Sequence, residues 1–277
     1  MPGYPPAPDP LATPVLDSHC HLDIRLADAS MDVTQALAAA TAVGVTRIVQ
    51  IGCDLPGARW AVDVAAASPA IVAGVALHPN EAPRIAAAGR VALEDAWAEI
   101  DRLAAHPRVR AVGETGMDFF RTGTPGRAVQ EESFRRHIAM AKTHGKALVI
   151  HDRDAHDDVL RVLDEEGAPG TVVFHCFSGD AAMAERCVAN GWVLSFAGTV
   201  TFKNAQPLRA ALQVTPLDQL LVETDAPFLT PVPYRGRPNA SFLVPVTVRA
   251  MAQVKGVTED ELASAVDATG TRVFGAF

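Results

Sequence analysis

A chain of 277 residues that is 49 % hydrophobic and 20 % charged has enough apolar side chains for one large core. Its net charge is −8, from 24 basic and 32 acidic residues, which argues against a surface that coats duplex nucleic acid, since such a surface is basic at least locally. No apolar run approaches the roughly 18–20 residues of a membrane span, and the four cysteines form no C-x-x-C pair, so neither a membrane protein nor a disulfide framework is expected.

Residues 1–14 hold six prolines and no Lys or Arg. They lack the basic start and apolar centre of an export signal, so they read as a flexible leader on a cytoplasmic protein. From residue 15 to 277 the pattern is one uninterrupted domain in which apolar runs alternate with helical stretches. The expected strands are Val15–Asp17, Thr46–Gly52, Ile71–Leu77, Val109–Gly113, Ala147–Ile150, Thr171–Phe174, Val193–Phe196 and Leu220–Glu223. Most are continuously apolar, as parallel strands covered on both faces are. Helical patterns separate them, and two more follow near Val244–Val254 and Thr258–Val273. Eight such units specify a single (β/α)8 TIM barrel with an extra C-terminal helix. The runner-up is an open doubly wound sheet, and the lack of G-x-G-x-x-G after the first strand weakens its dinucleotide-binding form.

The first polar residues after these runs are of one chemical kind. His19 and His21 end the first strand, His78 the third, Glu114 the fourth, His151 the fifth, His175 the sixth and Asp225 the eighth. Alternation along a strand puts His19 and His21 on one face, roughly 6–7 Å apart. In this fold the C-terminal ends of the strands carry the chemistry. Taken singly, each residue reads as a hydrogen-bonded rim side chain or a helix cap. Taken together, the four histidines other than His78, which is not needed to complete a metal set, and the two carboxylates point to bound metal, which removes the repulsion between the acids.

Six ligands suit two divalent ions. His19, His21 and Asp225 make one set, His151 and His175 the other, and Glu114 bridges them. Nitrogen-rich ligation favours Zn, Mn, Fe or Ni over Mg, and the identity stays open among these five. Asp225 is the candidate general base for an attacking water. The remaining histidines, His106, His137, His144 and His156, read as solvated or helix-end residues.

The segments D-S-H-C-H-L-D, G-E-T-G-M-D, H-D-R-D-A, H-C-F-S-G and E-T-D-A-P-F-L-T-P, in this order, resemble those of TatD-type metal-dependent deoxyribonucleases of the amidohydrolase-like barrel superfamily. The resemblance runs from about Val15 to the C-terminus. It implies a TIM-barrel phosphodiesterase, similar to 3′→5′ exonucleases acting on DNA, and the same metal assignment. Two departures stand out: His78-Pro79-Asn80 where the family often has His-Pro-His, and Gly236-Arg237-Pro238-Asn239-Ala240 where it often has Arg-Asn-Glu-Pro. These bear on substrate positioning, for which His78, Arg153, Arg237 and Asn239 are the candidates. Lys203 and Arg235 are further candidate phosphate contacts, and Phe119, Phe120 and Phe177 candidate base-stacking rings. The expected partner is therefore a single-stranded DNA end, with no membrane and no obligate protein partner. The competing readings are a barrel hydrolase of a small amide, lactone or phosphoester, and a binding module that does no chemistry.

Overall fold

The computed structural model describes residues 3–26 and 30–277. Strands and helices alternate as β1 (Val15–Cys20), α1 (Val33–Thr41), β2 (Val45–Gly52), α2 (Leu55–Ala67), β3 (Ile71–Val75), α3 (Glu81–Ala86), α4 (Arg90–Ala104) and β4 (Val109–Asp118). They continue as α5 (Thr124–His144), β5 (Ala147–Arg153), α6 (His156–Glu166), β6 (Val172–Phe174), α7 (Ala181–Ala189), β7 (Val193–Phe196), α8 (Gln206–Val214), β8 (Leu220–Val222), α9 (Val244–Lys255) and α10 (Glu259–Phe274). The strands follow one another in sequential order through a parallel sheet. A doubly wound sheet would reverse its order partway, so this is the expected (β/α)8 class, with α10 as the additional helix. No described helix is long and apolar enough to cross a membrane.

The chain forms two compact units, one of residues 1–50 and 176–277, the other of residues 51–175. In the first, every residue of β1, β7 and β8 is buried. Backbone bonds tie β1 to the segment after β8: the N–H of Asp225 donates to His19 O (2.9 Å) and that of His21 to Ala226 O (2.8 Å). Helix α10 packs on β1 and β8, where Gly270 leaves room for the Leu16 side chain.

Residues 3–14 of the expected leader make contacts within this unit. Residues 1 and 2 lie outside the described residues. Tyr4 is buried, its ring 6.1 Å from that of Phe242, and Leu11 is buried with its N–H on Val43 O (3.1 Å). Arg249 donates to Asp9 O (3.0 Å), and Thr13 donates to the Asp260 carboxylate (2.9 Å). A few apolar anchors suffice for such contacts in a segment whose prolines leave little backbone entropy to lose.

The second unit contains β3 to β6 with α2 to α6. Here β4 and β5 run past their expected ends, to Asp118 and Arg153, because pairing continues through Thr115↔Ile150, Gly116↔His151, Met117↔Asp152 and Asp118↔Arg153. Glu114 and His151 are thus strand residues rather than the first residues of loops. His137 also differs from expectation. It is fully buried on α5, bonded to Thr115 Oγ1 (2.8 Å) and accepting the Leu77 N–H (3.3 Å).

Two candidate metal-binding groups

In the first unit, His19 near the end of β1 and His21 just past it stand side by side, in keeping with the alternation of extended backbone. Their rings are 5.0 Å apart at 77°, and both are buried. Asp225 faces them: its Oδ1 is 3.2 Å from His21 Nε2 and 3.9 Å from His19 Nε2. Asp225 has φ +53°, a left-handed conformation that aspartate tolerates better than most residues, at some conformational cost.

What holds that turn is polar and buried. Asp17, fully buried on β1, accepts the N–H (2.9 Å) and the hydroxyl (2.6 Å) of Thr224. Burial pushes the Asp17 carboxyl up to about 6, against the lowering effect of those bonds. Asn239 donates its amide to Thr224 O (2.9 Å) and Phe228 O (2.6 Å). Asn239, expected to touch substrate, is therefore a brace for the Asp225 turn. Arg237 has another occupation too: its guanidinium donates to Gly3 O (3.3 Å) and to Tyr4 O.

In the second unit, three ring nitrogens surround one carboxylate oxygen. His151 Nδ1 is 2.6 Å, His175 Nε2 2.9 Å and His78 Nε2 3.3 Å from Glu114 Oε1. The two nitrogens of His151 and His175 are themselves 3.4 Å apart. The Cys53 thiol donates to Glu114 Oε2 (3.3 Å). Burial raises the Glu114 pKa, but the charges of His175 and His78 and the bonds from His151 and His175 outweigh it, leaving the carboxyl well below the usual range.

Asp118 supports this group from the same face of β4 as Glu114 and Gly116. Its Oδ2 is 3.4 Å from His151 Nε2 and accepts the Asn80 amide (2.9 Å), while its Oδ1 accepts the Arg121 N–H (2.8 Å). Burial disfavours the Asp118 charge, yet bonds from His151 and Asn80 prevail and hold its pKa well below the ordinary value. Burial likewise lowers the His151 pKa, and its bonds to Asp118 and Glu114 reverse that, for a net rise. Gly116, at φ +132°, lets β4 approach β5, since a Cβ there would collide with the His151 carbonyl oxygen.

Each group fits a divalent cation by its donor chemistry: two imidazole nitrogens and a carboxylate oxygen converge with no lysine or arginine among them. In the second unit the ligand atoms of His78, Glu114 and His151 lie within 4.8 Å of one another. The structure brings together His19, His21 and Asp225 in one unit and His78, Glu114, His151 and His175 in the other. Of the candidate stacking rings, Phe177 is buried 5.9 Å from Phe196 and serves as packing. Sequence reasoning passed over Asp17, Cys53, Asn80 as a ligand brace, and Asp118. Asp118 carried a signal, since period-two spacing from Glu114 through Gly116 puts it on the ligand face.

Comparison with known proteins identifies the family of the chain. The sequence profile of the TatD-related DNases matches residues 16–275. The uncharacterized metal-dependent hydrolase TatD of Mycobacterium tuberculosis is 46 % identical over 268 residues, covering 94 % of this chain and 98 % of the relative. The uncharacterized metal-dependent hydrolase YabD of Bacillus subtilis is 37 % identical over 261 residues, covering 94 % and 98 %. The crystal structure of the TatD homologue YjjV from Escherichia coli superposes with a TM-score of 0.85 at 26 % identity, covering 94 % of this chain and 97 % of that one. By fold, ligand chemistry and full-length similarity, the chain belongs to the TatD family of metal-dependent hydrolases.

Proposed function

We propose that this hydrolase cleaves phosphodiester bonds of DNA, trimming single strands from the 3′ end with two divalent ions. The observation that carries the reading is the repeated donor set: His19 and His21 with Asp225, and His151 and His175 with Glu114. His19, His21 and Asp225 would hold one ion in the first unit, and Glu114, His151 and His175 one in the second. Bound there, divalent ions supply Lewis-acid polarisation of a phosphodiester oxygen and activation of the attacking water.

The chain's own residues supply the rest. Asp225 Oδ1, held by its turn at 3.2 Å from His21, takes the proton of the water. Asp118 holds the His151 ring so that Nδ1 faces Glu114. His78, with Nε2 3.3 Å from Glu114 Oε1, stands close enough to the ligands to donate to a phosphate oxygen. An acidic body does not oppose this chemistry, because recognition of a strand end needs a positive mouth and not a positive surface.

The test is purified protein with Mg, Mn or Zn, 5′-labelled single-stranded DNA and a matched RNA. Stepwise shortening of the DNA, abolished by Asp225→Asn, is the expected result. No cleavage with any of these metals would refute the reading and favour a small-substrate hydrolase. Glu114→Ala should lower bound metal from about two ions per chain, and elemental analysis finding unchanged metal would remove Glu114 from the ligand set.

A further inference from the structure

Most arginines of this acidic chain are neutralised or occupied. Arg59, Arg84, Arg90, Arg135, Arg161 and Arg249 pair with glutamates. Arg108, Arg209 and Arg237 donate to backbone carbonyls. Arg121, Arg127 and Arg153 are among the described guanidiniums of the second unit without a carboxylate ion pair: Arg153 ends β5, Arg121 follows β4 and Arg127 lies near the start of α5. Arg153 lies over the ring of Phe120, 3.8 Å from its centroid, and Arg127 over that of Phe119 at 3.9 Å.

Phe120 is 63 % exposed, more than the other exposed phenylalanine, Phe228 at 45 %. A single exposed apolar residue is unremarkable in itself. Here, however, the ring is carried on a firm base: Asp118 pairs with Arg153 in the sheet, and the Phe119 N–H donates to Arg153 O (2.9 Å). That base adjoins the ligands, for Arg153 lies two residues beyond His151 on β5 and Asp118 Oδ2 is 3.4 Å from His151 Nε2. One face of Phe120 takes the Arg153 guanidinium, and its remaining surface is open to solvent. A solvated loop would explain unpaired arginines, but not an exposed aromatic ring with the Arg153 guanidinium stacked on it beside a metal-binding group.

We propose that Phe120 and Arg153 form a platform on which a base of the DNA strand stacks, with Arg121 and Arg127 facing its phosphates. The inference rests on the phosphodiesterase reading and identifies the polynucleotide contact of that same site. An aromatic face with guanidiniums beside it suits a polyanion carrying flat bases, and it is indifferent to sequence because every base has a π-face. Affinity through such a platform falls as salt rises, since the arginines act on phosphates.

The test is a steady-state comparison of Phe120→Ala, Phe120→Leu and Phe120→Trp on a labelled DNA oligonucleotide, and on the same oligonucleotide with abasic residues near its 3′ end. A stacked base is worth roughly a factor of ten or more in binding. Phe120→Ala should therefore raise KM about tenfold with kcat changed less than twofold. Phe120→Trp should restore KM, and Phe120→Leu, which keeps apolar bulk without a ring, should not. The abasic substrate should cost the wild type a similar factor and Phe120→Ala almost nothing further. Cleavage by the wild type with KM unchanged in Phe120→Ala overturns the platform alone, as does equal recovery by Leu and Trp. A wild type that neither cuts nor binds DNA overturns the platform together with the reading beneath it. An RNA oligonucleotide bound as tightly as DNA, with the same loss in Phe120→Ala, supports the platform and overturns its restriction to DNA.

Discussion

His137 offers a test of the second unit that needs no substrate. It is fully buried, and its two nitrogens are already committed: Nε2 accepts the Leu77 N–H, which places the ring proton on Nδ1 toward Thr115. Leu77 precedes His78 and Thr115 follows Glu114, so this imidazole pins two of the segments that carry the metal-binding group. Burial pushes its pKa from 6.5 down to about 3, against a Ser133 backbone bond that favours the charged form. The sign follows from proton counting. Above pH 6.5 both folded and unfolded chains hold the ring neutral; below it the unfolded chain takes a proton that the folded one refuses. Stability is therefore intact above pH 6.5 and is lost progressively toward about pH 3. At pH 5, about 1.5 pH units below the ordinary value, the loss is ~2 kcal/mol at 1.36 kcal/mol per unit. His137→Gln does not titrate, and at pH 7 it should be less stable by ~2 kcal/mol because one buried partner is left poorly satisfied. Urea unfolding of both proteins should therefore show a gap of ~2 kcal/mol at pH 7 that nearly closes at pH 5. A gap of the same size at both pH values would refute the assignment of a neutral, buried imidazole.

Two further substitutions test how the ligands are held. Asp118→Asn keeps the size of the side chain but removes the charge that orients His151, so metal affinity and kcat/KM should each fall about 10–100-fold; unchanged affinity by titration calorimetry would make Asp118 a bystander. Gly116→Ala forces a Cβ against the His151 carbonyl oxygen at φ +132° and should cost about 3 kcal/mol or more; a urea midpoint close to that of the wild type would mean that β4 can yield there.

The candidate ligands stand out in the sequence because parallel strands buried on both faces leave a simple trace: an apolar run, then the first polar side chain at its C-terminal end. The same logic misplaced the ends of β4 and β5. Glu114, Thr115 and Asp118 interrupt the apolar run, while backbone pairing takes no account of side-chain polarity and continues to Asp118 and Arg153. His137 was misread for a related reason. A histidine on a mixed helical pattern looks solvated until the backbone N–H that it satisfies, 60 residues away, is known. The leader, Arg237 and Asn239 depend on partners that no local pattern names, such as the Gly3 and Tyr4 carbonyls more than 230 residues from Arg237. Asn80 is similar. Read as a change in substrate contact, it is bonded to Asp118 and Thr122 and so acts on the orientation of His151.

The two groups are held by different means, and this affects how variants around them should be read. Glu114 and His151 sit on paired strands, so their backbone positions are set by the sheet. Asp225 sits in a left-handed turn whose position depends on side chains: Asp17 beneath Thr224, and Asn239 spanning the carbonyls of Thr224 and Phe228. A sheet resists displacement cooperatively, whereas a turn braced by a few buried hydrogen bonds loses its geometry when one of them goes. Asn239 and Asp17 therefore act on the position of the proposed base. Their loss belongs in kcat, through a displaced Asp225, whereas the loss of a phosphate or base contact such as Phe120 belongs in KM.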